Sequence, residues 1–199
     1  MRYTLGVDEA GRGPLAGPIA VAVVRTRHNT RRTKQLFKGI RDSKKFSEKQ
    51  REAWFVKLKR LKKEGILDYR AAFSGSETID RYGIVGATKR ALARAMKKML
   101  ILPEESEVLL DGTLYAPRKY TNQKTIIHGD DRVPIIAAAS IVAKVLRDRK
   151  MKRLAKEFPK YSFDIHKGYG TRLHYTKLKQ YGLCAIHRRS FIHLDFPRK

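Results

Sequence analysis

Three short apolar runs in this chain each lead into acids. Residues 3–7 enter Asp8-Glu9, residues 107–110 enter Asp111-Gly112, and residues 125–128 enter Gly129-Asp130. A carboxylate at the end of an apolar strand is costly unless something neutralises it. Ligands of open α/β sheets gather beyond the carboxyl ends of the strands. If the three runs are strands lying side by side, Asp8, Glu9, Asp111 and Asp130 converge, and four converging acids make a divalent-metal site. Oxygen-only donors suit Mg2+ or Mn2+ rather than zinc. Two such ions about 3.5–4 Å apart can activate a water and stabilise the leaving oxygen of a phosphodiester. Neighbouring residues of a strand point to opposite faces, so Asp8 and Glu9 share a site only if the strand ends there and the chain turns, which Gly11 permits. Any one of these acids alone also reads as a turn former or a helix cap. The same arrangement at three strand ends, in a chain short of acids, favours the site.

The loop Gly11-Arg12-Gly13 is not a dinucleotide fingerprint, because Ala16 occupies the third glycine position and the loop leads into a strand instead of a helix. Its glycines let bare backbone approach a ligand, with N–H and C=O groups available to a sugar hydroxyl. The competing reading is a tight turn that touches nothing. The six histidines lack zinc spacing, and no G-x-S-x-G elbow is present.

A formal charge of +26, from 45 Lys and Arg against 19 Asp and Glu, points to a polyanionic partner, nucleic acid foremost. The alternative is a Lys-rich solvated surface, and charge does not separate a nuclease from a passive binder. Cys184 is the sole cysteine, which excludes an internal disulfide framework, and no apolar run of membrane-spanning length exists. Residues 1–5 do not read as a secretory signal, so a cytoplasmic protein is expected.

The elements that must hold the acids follow from periodicity. Strands are expected at 3–7 and 19–26, followed by an exposed basic connection over 25–45 whose one acid is Asp42. Ser47 and Gln50 form a capping-box pattern for a helix to Glu64, with Trp54, Phe55, Leu58 and Leu61 at helical spacing and Gly65 as its stop. A strand at 66–73 is expected next. Ser76 should cap a second helix whose interior runs over 84–102 until Pro103. Strands at 107–110 and 125–128 precede a long helix over 134–158, which opens with an almost uncharged run, and a last helix at 171–181. This order predicts one α/β domain, its sheet flanked by helices.

Seven blocks, in order between residues 6 and 191, carry a resemblance. They are Asp8 to Pro14 (DEAGRGP), Asp42 to Lys45 (DSKK), Leu110-Asp111-Gly112, Gly129-Asp130, Ala137 to Lys144 (AAASIVAK), His166 to Thr171 (HKGYGT) and Ile186 to Phe191 (IHRRSF). Together they resemble the type 2 ribonuclease H family, ribonuclease HII. The resemblance implies a ribonuclease H-like fold, a central five-stranded mixed sheet flanked by helices with a small helical C-terminal part. It divides a single domain, 1–199, into a catalytic core, 1–160, and a substrate-contacting segment, 161–199. It implies Asp8, Glu9, Asp111 and Asp130 as catalytic and metal-ligating, with Asp130 preferred over its acidic neighbour Asp131 by its ten-residue spacing to Ser140. It also implies that Gly11, Arg12 and Gly13 read a ribose 2'-hydroxyl and that Tyr169 packs at an RNA-DNA junction. Ser43, Lys44 and Lys45 are expected phosphate contacts, against the alternative of a merely solvated surface.

The implied activity is metal-dependent hydrolysis, with Mg2+ or Mn2+, of the phosphodiester 5' of a ribonucleotide. The substrates are RNA/DNA hybrids and duplex DNA with embedded ribonucleotides, and the ends left are 5'-phosphate and 3'-hydroxyl. Its use would be to remove RNA primers and misincorporated ribonucleotides. A monomer with no obligate protein partner, no membrane contact and no C-terminal sliding-clamp motif is expected. Two other readings compete: a non-catalytic basic nucleic-acid-binding module, which four acids repelling phosphate disfavour, and a related metal nuclease of recombination or integration, which would not need a 2'-hydroxyl-reading loop.

Overall fold

The first strand is apolar on both faces because helices cover it from both sides. In the computed structural model, which describes residues 3–27 and 35–192, β1 (Tyr3–Ala10) is the central strand of a five-stranded sheet. The others are β2 (Ile19–Arg27), β3 (Leu67–Ser74), β4 (Ser106–Asp111) and β5 (Gln123–Ile126), in the spatial order β3-β2-β1-β4-β5. β1 to β3 pair antiparallel, whereas β4 and β5 run parallel to β1, so the sheet is mixed as expected.

Side-chain alternation then assigns the two faces. Leu5, Val7, Val21, Val23, Val108 and Leu110 pack against α2 (Ser76–Lys97) through Ala91, Leu92, Ala95 and Met96. Ala22 and Val24 on the other face meet α1 (Glu48–Lys63), which presents Phe55, Leu58 and Leu61, and α4 (Pro134–Glu157). Residues 135–143 of α4 are all buried, which accounts for their lack of charge, since a helix covered all round must be apolar all round. Gly6 marks where α4 crosses β1. A Cβ there would stand 2.3 Å from the Ile135 carbonyl oxygen.

The capping box forms as read, with Ser47 Oγ accepting from Gln50 N and Gln50 Oε1 accepting from Ser47 N at 2.8 Å. Ser76 does not cap. Gly75 holds the N-cap position, and the Ser76 hydroxyl donates to the Ala185 carbonyl at 3.2 Å. α2 stops at Lys97 instead of reaching Leu102, and it contains a kink at Gly83, whose φ is 67°. The basic connection is less exposed than expected, because Phe37 is buried and residues 43–45 form a short 3-10 turn. Part of that connection, residues 28–34, and the readings placed on residues 1–2 and 193–199 lie outside the described residues. No helix among the described residues is long and apolar enough to cross a membrane.

After α4 come two short helices, α5 (Phe163–His166) and α6 (Arg172–Tyr181), the latter capped by Thr171 Oγ1 accepting from His174 N. Tyr161 and Phe163 pack with Ala16, Met151 and Leu154, which fixes this C-terminal part to the end of α4 and to the loop after β1. Main-chain bonds complete the attachment. Leu15 N donates to Gly168 O, Gly17 N to Ile186 O and Arg188 N to Leu15 O, each at 2.8 Å.

Candidate active site

Strand register brings the acids together. Val7 pairs with Leu110 across the parallel β1/β4 ladder, so the next residues, Asp8 and Asp111, end up as neighbours on adjacent strands. β5 ends at Ile126, two residues earlier than expected. His128 then takes a left-handed conformation (φ 54°), and Asp130 sits in the first turn of a short helix, α3 (Gly129–Arg132). Asp111 Oδ1 ties that turn to β4 by accepting from Gly129 N at 2.8 Å and Asp130 N at 3.3 Å. One carboxylate oxygen from each of Asp8, Asp111 and Asp130 lies within 4.8 Å of the other two.

Glu9 is placed differently from the sequence expectation. The strand does not end at Val7 but continues to Ala10, so Glu9 keeps the alternation and lies outside the group of three. It still lines the same cleft, of about 390 Å³, together with Asp8, Asp111 and the Gly11–Gly13 loop. Arg12 Nη1 approaches Glu9 Oε1 at 3.5 Å, while Glu9 Oε2 is buried with no hydrogen-bond partner.

These carboxyls are unsettled as they stand. Burial, then the charges of Glu9 and Asp111, push Asp8 well above the usual carboxylate range, against hydrogen bonds from Ser140 and the Glu9 backbone. Burial also raises Asp130, with Asp111 adding to it, and raises Glu9 despite Arg12. Clustered acids that resist ionisation are a site short of positive charge. Lys44 supplies some, its Nζ 3.8 Å from Asp130 Oδ2. Burial works against its charge, but Asp42, Asp130, Asp8 and Asp111 hold its pKa above the ordinary value.

Asp131 is turned away. It is exposed and bound to Lys45 at 2.7 Å, a bond that lowers its pKa. Of the two neighbouring aspartates, Asp130 is therefore the one in the cluster. Of the expected phosphate contacts, Lys44 is exposed at the cleft, Lys45 is engaged by Asp131, and Ser43 is buried. The Ser43 and Ser140 hydroxyls lie 2.9 Å apart, and Ser140 also bonds Asp8, so the serine pair orients that carboxylate.

The loop between β1 and β2, which contains Gly11–Gly13, is held from beneath by two fully buried arginines that sequence reasoning missed. Arg188 donates to the carbonyls of Gly11 (2.7 Å), Arg12 (2.8 Å) and Gly17 (2.9 Å). Arg147 donates to Pro18 O and Lys167 O, both at 3.0 Å. Gly11 has φ 97°, and a Cβ on it would stand 2.0 Å from Arg147 Nε, whereas a Cβ on Gly13 would meet nothing within 4 Å. Tyr169, 39% exposed, faces the cleft with Lys144 Nζ 5.4 Å and Arg147 Cζ 5.5 Å from its ring centre.

Three of the histidines that look scattered in sequence meet behind Tyr169. His166 stacks on His174 with ring centres 4.3 Å apart, and His174 Nε2 is 3.1 Å from His187 Nε2. Burial pulls both His174 and His187 down to about 4, so both rings are neutral near neutral pH. The blocks HKGYGT and IHRRSF contained two of them, but nothing in their spacing reports that separate elements bring them together.

This constellation has counterparts. A profile of Ribonuclease HII matches residues 5–194. The Ribonuclease HII of Endomicrobium trichonymphae is 44% identical over 186 residues, covering 94% of this chain and 83% of that protein. That of Caldicellulosiruptor bescii is 45% identical over 192 residues, covering 96% and 87%. The crystal structure of the ribonuclease H2 from Pyrococcus horikoshii OT3 superposes with a TM-score of 0.68 at 27% identity, covering 94% of this chain and 93% of that one. With matches spanning nearly the whole chain and the same mixed sheet beneath its acids, this chain belongs to the ribonuclease HII family and is an endoribonuclease of the ribonuclease H type.

Proposed function

We propose that this protein cuts the phosphodiester on the 5' side of a ribonucleotide, in RNA/DNA hybrids and in duplex DNA with embedded ribonucleotides, leaving 5'-phosphate and 3'-hydroxyl ends. One observation carries the reading: Asp8, Asp111 and Asp130 bring carboxylate oxygens within 4.8 Å of one another, and two of them, Asp8 and Asp111, line the cleft that the Gly11–Gly13 loop also lines.

The donor set fits divalent cations. It is all oxygen, it resists ionising without added positive charge, and Glu9 offers a buried oxygen that has no protein partner. Asp8, Asp111 and Asp130, joined by Glu9, would hold Mg2+ or Mn2+. When bound, such ions supply an activated water and charge stabilisation for the leaving 3' oxygen. The residues of the chain do the rest. Ser140 and Ser43 orient the Asp8 carboxylate, and Lys44 brings a cation to the phosphate side of the cleft. The backbone of Gly11, Arg12 and Gly13 meets the ribose 2'-hydroxyl, the group that distinguishes RNA from DNA at a single sugar. Tyr169 packs against the next sugar, which makes the segment 161–199 the substrate-contacting part of a single domain whose catalytic core is 1–160. The basic surface tracks phosphates, with Lys45 able to join once it leaves Asp131.

In a cell this chemistry removes RNA primers and misincorporated ribonucleotides, and a lone thiol suits the reducing cytoplasm. A passive binder would gain nothing from buried acids that repel phosphate. Cleavage of end-labelled duplexes with no, one or many ribonucleotides, with and without Mg2+ or Mn2+, tests catalysis, metal need and selectivity together. Metal-dependent cutting at the single ribonucleotide is expected. Equal cutting of all-DNA duplex would refute the 2'-hydroxyl reading, and binding without cutting would leave only the passive binder.

A further inference from the structure

Two adjacent residues, His187 and Arg188, reach by separate routes to the two parts that the proposed function assigns to ribose recognition. Arg188 is fully buried, and its guanidinium meets three carbonyls of the loop after β1, among them Gly11 O and Arg12 O. His187 works through His174. The His187 Nδ1 accepts from Cys184 N at 2.9 Å, so its proton sits on Nε2 and points at His174 Nε2, 3.1 Å away. That leaves the His174 proton on Nδ1, where it donates to the Tyr169 carbonyl at 2.9 Å. His166 closes the arrangement from the other side, accepting from Gly168 N on Nδ1 and donating from Nε2 to Tyr161 O at 2.7 Å. Each ring thus has a single proton assignment that satisfies its neighbours.

The turn that presents these residues is itself anchored. Asp80 on α2 accepts from Arg189 N and Ser190 N, both at 3.0 Å. The main-chain bonds of residues 186–188 to residues 15–17 do not involve either side chain. The side chains therefore add something the backbone already does without.

We propose that Arg188 and His187 are positioning residues that hold the Gly11–Gly13 loop and Tyr169 in one register, so that discrimination of ribose from deoxyribose depends on them while duplex affinity does not. The proposal rests on the reading that this loop and Tyr169 contact the sugar. Arg188 serves because a planar fork with several fixed N–H donors can span separate carbonyls, which a lysine ammonium cannot.

The test uses Arg188→Lys, His187→Met and His187→Gln in the full chain. Measured for each are kcat and KM on a DNA duplex with one ribonucleotide, the rate on the matching all-DNA duplex, duplex Kd without metal, and the urea midpoint. Arg188→Lys and His187→Met are expected to lower kcat and the ribose-to-deoxyribose rate ratio about tenfold or more, with Kd changed by less than about twofold. His187→Gln, whose amide can still donate to His174 Nε2, should recover most of the loss. Folded Arg188→Lys and His187→Met enzymes with wild-type kcat and ratio would overturn the proposal, as would equal losses in kcat and duplex affinity. If Arg188→Lys does not fold, the His187 pair decides by the presence or absence of rescue. A wild-type enzyme that itself ignores the ribose defeats the underlying reading, and is thereby distinguished from failure of the positioning role alone.

Discussion

Gly11 and Gly13 sit two residues apart in one loop, yet substituting alanine at each should have opposite consequences for fold and function. At Gly11 the backbone is at φ 97°, where an L side chain costs roughly 1–2 kcal/mol. The new Cβ would also stand 2.0 Å from Arg147 Nε, a buried atom that donates to Pro18 O at 3.0 Å. Driving it off breaks a hydrogen bond from a charged group, about 1.5–3 kcal/mol. Gly11→Ala should therefore lose roughly 2.5–5 kcal/mol, a large part of a stability of ~5–15 kcal/mol. At Gly13 a Cβ meets nothing within 4 Å. Gly13→Ala should stay within about 0.5 kcal/mol of wild type, and any defect it shows must come from what arrives in the open space, the substrate. Urea unfolding of both variants, followed by cleavage of a single-ribonucleotide duplex, separates the two effects. Gly13→Ala should cut at least about tenfold more slowly at unchanged duplex affinity. A Gly11→Ala protein as stable as wild type would refute the packing reasoning, and wild-type cleavage by Gly13→Ala would refute close approach of the sugar to this backbone.

Asp8→Asn, Glu9→Gln, Asp111→Asn and Asp130→Asn should each cut turnover by orders of magnitude in a Mg2+ or Mn2+ assay, whereas Asp131→Asn, which weakens bonds to Lys45 and the Asp42 backbone outside the cluster, should stay near wild type. Asp8 is raised in the fold, so stability is lost as pH rises from the ordinary carboxylate value through the raised one. Asp8→Asn should then unfold at higher urea than wild type at pH 7 in chelator, with the order reversing if metal binds only wild type. The histidines act with the opposite sign. His174 and His187 fall from 6.5 to about 4 on folding, so they contribute stability above pH 6.5 that is lost as pH drops through that window, on the order of 1–2 kcal/mol by pH 5 for fully buried His174; His187→Gln should flatten the acid limb of a urea-midpoint profile. Duplex affinity should fall with salt, the logarithm of the constant dropping about 0.9 per phosphate contacted, and a flat titration would remove the basic surface from the binding account.

What could be read from the sequence was whatever depends on neighbours along the chain. The Ser47–Gln50 box, the buried face of α1 and the uncharged opening of α4 are local patterns with one packing solution each, and all three stand in the structure. The boundaries that moved did so where a single residue changes the path. β1 runs on to Ala10 because β2 pairs with it through Ala20, which an apolar run ending at Val7 does not disclose. β5 stops early because His128 takes a left-handed turn that sequence gives to asparagine or glycine more readily. The convergence of Asp8 and Asp111 was legible only as a condition, that their strands be neighbours, and the parallel β1/β4 register meets it.

The support beneath the site was the least legible part, for a physical reason. Arg147 and Arg188 are charged residues in a chain with 45 Lys and Arg, so composition assigns them to the surface. Burial of such a group is tolerated only where several acceptors are already aimed at it. Here those acceptors are the carbonyls of Gly11, Arg12, Gly17 and Pro18, exposed by a loop that glycines bend away from regular pairing, with Lys167 O of the C-terminal part beside them. The irregular loop needs buried donors to satisfy its carbonyls, and the buried arginines need an irregular loop to supply acceptors. Each explains the other only once the fold has brought segments more than a hundred residues apart into contact, so the same glycines that bend this loop at the cleft also dictate what must lie beneath it.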